Sequence, residues 1–225
     1  MGPRNVTVAS VLPMTDGSLQ TVQRAQQVGA HRGKRALDLV VGGVGLLLAL
    51  PLLGVLAVAV ALSGRGGVFF VHRRVGRGGR EFPMVKFRTL RPGTDQALMA
   101  EPTFKDAQFK VQPDDPRITG VGRVLRRTSL DELPQLWNVV RGDMSLVGIR
   151  PVVREQLNTR SPHFQELYTA TRPGLTGLWQ INGRSHRLPL ERVALDEEWI
   201  RHWSLWGDIK IILRTPIAVT RPGTH

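Results

Sequence analysis

The sequence predicts an α+β, mostly helical fold built as a monotopic membrane protein, with a re-entrant helical hairpin bent at Pro51, a small β-hairpin and interfacial amphipathic helices. Three observations predict it. Leu39–Leu62 is a run of 24 residues without a charged side chain, basic on both flanks. Residues 66–91 hold short β-rich runs on either side of a glycine-rich turn. Beyond residue 117, apolar residues recur at helical spacing with cations on other faces.

Composition bounds the partners. The chain has 225 residues, 41% of them apolar, enough for a real core. A net charge of +13 and a pI near 11.5 favour polyanionic partners: nucleic acid, anionic lipid or phosphorylated substrates. The chain has no cysteine, which excludes disulfides, thiolate metal sites and cysteine nucleophiles.

Residues 1–30 show no sustained period and read as a mobile N-terminal tail. Residues 31–65 carry the apolar run. Its length suffices to cross a bilayer core of about 30 Å. Three readings compete: a plain transmembrane helix, a re-entrant hairpin, and a secretory signal ending at Ala59-Val60-Ala61. The signal reading fails on length and on the 38 residues ahead of the run. Arg32, Lys34 and Arg35 precede the run, and Arg65, Arg73, Arg74, Arg77 and Arg80 follow it. Positive flanks prefer the cytoplasm, so two basic flanks favour entry and exit on the same face. Pro51 removes a backbone hydrogen bond near the middle and favours a bend. Each half would reach roughly 17 Å, too short to span alone. A proline can also kink a helix that still crosses.

Residues 66–225 read as a catalytic domain. In the expected hairpin, Lys86 and Arg88 alternate with Val85 and Phe87 and share a strand face. Residues 92–116 look like a loop, with a short helix near Gln96–Ala100. Asp114 and Asp115 suit a turn before Pro116 better than a metal site. A helix is expected before Arg127 and another over Leu130–Val140, ending before Gly142. A helix over 152–171 should break at Ser161-Pro162. The segment 172–184 has three glycines, in a pattern that can wrap a ligand with backbone amides. A last helix is expected over Pro189–Trp203. Trp199, Trp203 and Trp206 suit either a membrane–water interface or a buried aromatic core.

The chemistry-bearing stretch is 128–151. Asp131 and Glu132 stand side by side, with Arg123, Arg126 and Arg127 before them and Arg141 and Arg150 after. Adjacent carboxylates among cations suit a phosphate-bearing substrate. Ser129-x-x-Glu132 also reads as a helix capping box, and spacing alone favours the cap.

The stretch Asp115-Pro-Arg-Ile-Thr-x-x-Gly-Arg-x-Leu-Arg-x-Thr-Ser-Leu-Asp-Glu-Leu-Pro-Gln-Leu-x-Asn-Val-x-x-Gly-Asp-Met-Ser-Leu-Val-Gly-x-Arg-Pro151 resembles the signature of the bacterial sugar transferases, the monotopic phosphoglycosyl transferases. The apolar segment with its central proline, Lys86-Phe-Arg-Thr89 and Arg172-Pro-Gly-x-Thr-Gly-x-x-Gln-x-Asn-Gly-Arg184 agree in order. The resemblance runs over about residues 33–222. It implies transfer of a sugar 1-phosphate from a UDP-sugar to polyprenyl phosphate at the cytoplasmic face of the bacterial inner membrane, with release of UMP. It implies Asp131 as the nucleophile of a covalent phosphosugar intermediate and Glu132 as its partner, with Mg²⁺ held by Glu132 and Asp131. It further implies phosphate contacts from Arg126, Arg150, Lys86 and Arg88, and nucleotide contacts from Gln180, Asn182 and Arg184.

The chain departs from the family pattern at four places. Ile149 stands where proline is usual, so the loop that places Arg150 is expected to be less rigid. Leu50 replaces the serine that often precedes the hairpin proline, His72 a common glutamine, and Leu90 the usual methionine. An alternative is a catalytically weak or inactive membrane-bound relative that scaffolds glycan assembly. A nucleic-acid partner is not expected, because the cations flank an apolar segment and anionic membrane lipid accounts for them. The sequence allows a homo-oligomer without specifying one, and it does not name the sugar.

Overall fold

A computed structural model describes residues 16–94, 115–182 and 189–220. Among these, the chain is mostly helical with two small sheets. The expected loop helix near Gln96–Ala100 and the acid Asp114 lie outside the described residues.

The first element corrects the expected tail. Residues 16–30 form a helix, α1 (Asp16–Ala30), with Val22, Ala25 and Val28 buried in the main core. A three-residue recurrence supplies one narrow apolar stripe, hidden in the sequence by the glutamines between. α1 packs on α6 (Pro162–Ala170) and α8 (Pro189–Arg201). It approaches α6 closely at Gly29, where an added Cβ would sit 2.1 Å from the Ala170 carbonyl oxygen.

The apolar segment is α2 (Arg32–Leu62), started by His31, whose Nδ1 accepts from the Lys34 amide at 3.2 Å. α2 continues as one helix across Pro51, where the sequence suggests two halves of a hairpin. The leucines and alanines around Pro51 are strong helix formers, and one missing amide leaves the neighbouring hydrogen bonds in place. One face of α2 meets the rest of the protein along nearly its whole length. Lys34, Asp38, Gly42 and Val60 are buried, with Leu46, Ala49, Leu53, Leu56 and Ala57 half-buried between. The other face exposes Val40, Val44, Leu47, Leu48, Leu50, Val55 and Val58. Arg88 closes the C-terminal end, donating from Nη2 to the carbonyls of Val60 and Gly64, each at 2.9 Å.

β1 (Phe69–Val75) and β2 (Glu81–Phe87) form the expected antiparallel hairpin, in register from Phe69 opposite Phe87 to Val75 opposite Glu81. Its turn uses Gly78 and Gly79 at φ 70° and 73°, which glycine adopts without strain. α3 (Gly120–Thr128) begins on Thr119, whose hydroxyl oxygen accepts from the Gly122 amide at 2.9 Å. A single 3₁₀ turn, Leu130–Glu132, leads into α4 (Gln135–Arg141), which ends on Gly142 at φ 99°. The capping box is not formed. Ser129 sits at φ 54° and terminates α3, its amide donating back to Arg126 and Leu125, so its side chain does not cap the next turn.

A second sheet was not expected from the sequence. β3 (Ser145–Val147) and β4 (Gly174–Thr176) pair in parallel, Ser145 opposite Gly174 and Val147 opposite Thr176. Three-residue strands give too little alternation to read. α5 (Arg154–Asn158) and α6 show the break expected near Ser161-Pro162. α7 (Leu178–Ile181), α8 and α9 (Leu205–Thr220) complete the chain. Two of the three tryptophans meet the buried-core expectation. Trp199 and Trp203 are buried, and each indole N–H donates to Asp208 at 3.0 Å, whereas Trp206 is exposed.

Candidate active site

Asp131 and Glu132 lie in the 3₁₀ turn between α3 and α4. Lys86, on β2, reaches Glu132 Oε1 at 2.6 Å. Arg150 Nη2 lies 4.0 Å from the same oxygen. Asn138 on α4 fixes the strand that carries Lys86. Its Oδ1 accepts from the Val85 amide at 3.1 Å, and its Nδ2 donates to the Pro83 carbonyl at 2.8 Å. A side-chain amide thus pairs with the strand edge beside Lys86, as a third strand would.

Burial sets the electrostatics of Asp131. Burial pushes the Asp131 carboxyl up to about 6; Lys86 and Arg126 oppose the rise, and the Glu132 charge adds to it. Arg126 is in turn lowered by burial, with the charge of Asp131 opposing. The structure therefore brings Asp131, Glu132, Arg126, Lys86 and Arg150 close together.

Packing restrains the loop that carries Ile149. Ile149 is 2% exposed and belongs to the main core, and its carbonyl accepts from the Gly174 amide at 2.7 Å. Burial and the β4 contact hold this loop in proline's place, and Arg150 still faces Glu132. His72 is held neutral, because burial lowers its imidazole to about 4 and the Arg74 charge adds to the effect. A neutral imidazole is a reasonable substitute for the amide usual at that position.

Other expected residues are placed differently. Arg88 is spent on the end of α2, so its shared parity with Lys86 does not bring it to the carboxylates. Gln180 is 4% exposed on α7, beside Trp179, and the Arg150 guanidinium lies 5.9 Å from the Trp179 ring. Asn182 ends α7. Neither lines the small cavity next to Glu132. Arg184 lies outside the described residues.

Two residues were missed. That cavity, about 20 Å³, is lined by Arg74 and Gln135 together with Lys86, Glu132 and Arg150. Hairpin register was the available signal for Arg74: it opposes Phe82, which puts it on the face that holds Lys86. For Gln135 the sequence offers only its place three residues after Glu132. A larger cleft of about 720 Å³ lies at the hairpin turn, lined by Arg77, Arg80 and Arg172 among others. It contains neither Asp131 nor Glu132, so size does not locate the chemistry.

Among the described residues no group of three His, Asp or Glu side chains could hold a metal. Two adjacent carboxylates still fit Mg²⁺, which commonly takes one or two protein carboxylates and fills its octahedron with water and substrate phosphate. They do not fit a closed structural metal site.

Paired carboxylates enclosed by cations stand in the same chain as one long apolar helix. The chain belongs to the bacterial sugar transferase family, whose model matches residues 29–222. It is 42% identical over 212 residues to the exopolysaccharide production protein ExoY of Rhizobium meliloti, covering 86% of this chain and 90% of that one. It is 42% identical to the undecaprenyl-phosphate galactose phosphotransferase of Salmonella typhimurium, over 84% of this chain and 40% of that longer protein. It is also 42% identical to the UDP-glucose:undecaprenyl-phosphate glucose-1-phosphate transferase of Caulobacter vibrioides, over 84% of this chain and 70% of that one.

Proposed function

We propose that this chain transfers a sugar 1-phosphate from a UDP-sugar to a polyprenyl phosphate such as undecaprenyl phosphate, opening the assembly of an exopolysaccharide or related glycan. The observation that carries the reading is the Asp131–Glu132 pair held among Lys86, Arg126 and Arg150 in a member of this family. The names of the relatives supply the substrate class, and both glucose and galactose occur among them.

In this reading an Asp131 oxygen attacks the sugar-bearing phosphorus of the UDP-sugar. The bond from that phosphorus to the bridging oxygen breaks, and UMP leaves with the electron pair. An oxygen of polyprenyl phosphate then attacks the same phosphorus, the aspartyl–phosphorus bond breaks, and Asp131 is restored as the carboxylate. A carboxylate and a diphosphate repel one another, so the cations must lower the negative charge before attack. Arg126 neutralises charge near Asp131, Lys86 holds Glu132, and Arg150 extends over the open side. Mg²⁺, held by Glu132 and Asp131, would supply further charge neutralisation on the phosphates.

The alternative is a weak or inactive scaffold, motivated by Ile149; the 4.0 Å approach of Arg150 to Glu132 supports the active reading, and turnover decides between the two. The test is UMP release from a panel of UDP-sugars by the purified full chain with undecaprenyl phosphate. At least one sugar should turn over, and Asp131→Asn should lose activity by about 10³-fold or more, the scale of losing a covalent nucleophile. Full activity in Asp131→Asn would refute the assignment.

A further inference from the structure

We propose that Gln135 and Arg74 form a cradle that receives one phosphoryl oxygen of the donor substrate beside Glu132. The proposal rests on the transferase reading above and adds two residues to its binding machinery.

Gln135 is 2% exposed, and its Nε2 has no hydrogen-bond partner. Arg74 Nε is buried and also without a partner. Both side chains line the cavity that holds Glu132, Lys86 and Arg150. Buried donors are nearly always satisfied, and the two side chains that carry these orphaned N–H groups line one small cavity, so an acceptor that enters it meets them after a small side-chain turn. At about 20 Å³ the cavity takes one water-sized group and excludes a sugar or a base.

Charge decides which acceptor. Arg74, Lys86 and Arg150 meet a single carboxylate there, Glu132, so the cavity is positive. Burial and the Arg150 charge lower Arg74 only to about 10, and it stays cationic at neutral pH. A water would satisfy the donors and leave the charge. A phosphoryl oxygen answers both, through charge-assisted hydrogen bonds. The framework is suited to the task. Gln135 is the first residue of α4, three positions after Glu132, and Arg74 stands on the hairpin face that carries Lys86. An oxygen bound there is fixed relative to the acid pair.

The test uses the full chain in detergent micelles with Mg²⁺, probed with UDP and with uridine. UDP should raise the melting temperature of the native chain and uridine should not. Gln135→Leu should melt no lower than the native chain without ligand, since it removes an orphaned donor in favour of an apolar side chain of similar size. It should nonetheless lose most of the UDP-induced shift, and Arg74→Gln should do the same. Where turnover is measured, Gln135→Leu should reduce kcat/KM for the UDP-sugar by about 10- to 100-fold, the scale for a hydrogen bond to a charged group. The KM for undecaprenyl phosphate should be unchanged. No UDP shift in the native chain, or an undiminished shift in both variants, would overturn the cradle. A native chain that responds to UDP but releases no UMP from any UDP-sugar would refute the transferase reading and leave the cradle standing on the variants' lost shift.

Discussion

At the residue scale, Asp131 is a carboxylate under electrostatic tension. Its folded-state pKa, about 6, exceeds the ordinary value of 3.8. The folded protein therefore binds this proton more tightly than the unfolded chain. The resulting destabilisation is fully present above pH 6 and disappears as pH falls below 3.8. Two outcomes follow. In single-turnover UMP release, the rate should fall on acidification through about pH 6, where an unperturbed aspartate would hold it to about pH 4. In thermal melts at pH 7.5, Asp131→Asn should be more stable than the native chain while inactive, because the buried charge is gone. The sequence revealed the acid pair and its cations because they adjoin in the chain and match a long family pattern. It could not reveal the raised Asp131 pKa, which arises from burial, nor Gln135 and Arg74, whose significance lies in missing partners.

At the element scale, the start of α2 is locked to α9 by one carboxylate. Lys34 Nζ lies 2.7 Å from Asp208 Oδ2 and donates to the Val147 carbonyl at 2.9 Å; Asp208 also accepts from Trp199 and Trp203. Removing one member of a fully buried pair strands the other charge, which typically costs about 3–5 kcal/mol. Asp208→Ala should therefore lower the unfolding midpoint sharply, measured by thermal or denaturant melts in micelles. Lys34→Met combined with Asp208→Leu should recover part of the loss, since no charge is then stranded. Arg88 illustrates the limit of reading at this scale. Strand alternation predicted that it would share a face with Lys86, but Arg88 falls one residue past β2, where it caps α2. Element ends are set by tertiary hydrogen bonds that no local period encodes. α1 was missed for the same reason, as its stripe of Val22, Ala25 and Val28 gains meaning only from α6 and α8.

At the scale of the whole molecule, the disposition of α2 bears on how the protein meets a membrane. Its first turns are tied by Lys34, Asp38 and Gly42 to β3 and α4, and its last turn by Val60 to Phe87, Leu125 and Arg88. One globular body therefore holds both ends. A helix with a polar body on one end only could cross a bilayer; this one would have to carry part of that body into the hydrocarbon, at the cost of its desolvated polar groups. The exposed face of α2, with the exposed Trp206, Leu213 and Ile217 of α9, is apolar instead. Lys210 accompanies Trp206, an amphipathic pairing suited to an interface. The basic flanks Arg32 and Arg65 should then both face the cytoplasm. Because the chain has no cysteine, Arg32→Cys and Arg65→Cys can be introduced singly into an otherwise unreactive protein. In spheroplasts, a membrane-impermeant maleimide should label neither variant, and in inverted vesicles it should label both. Labelling of one variant from outside would show that α2 crosses, and the body that now holds both its ends would have to release one of them.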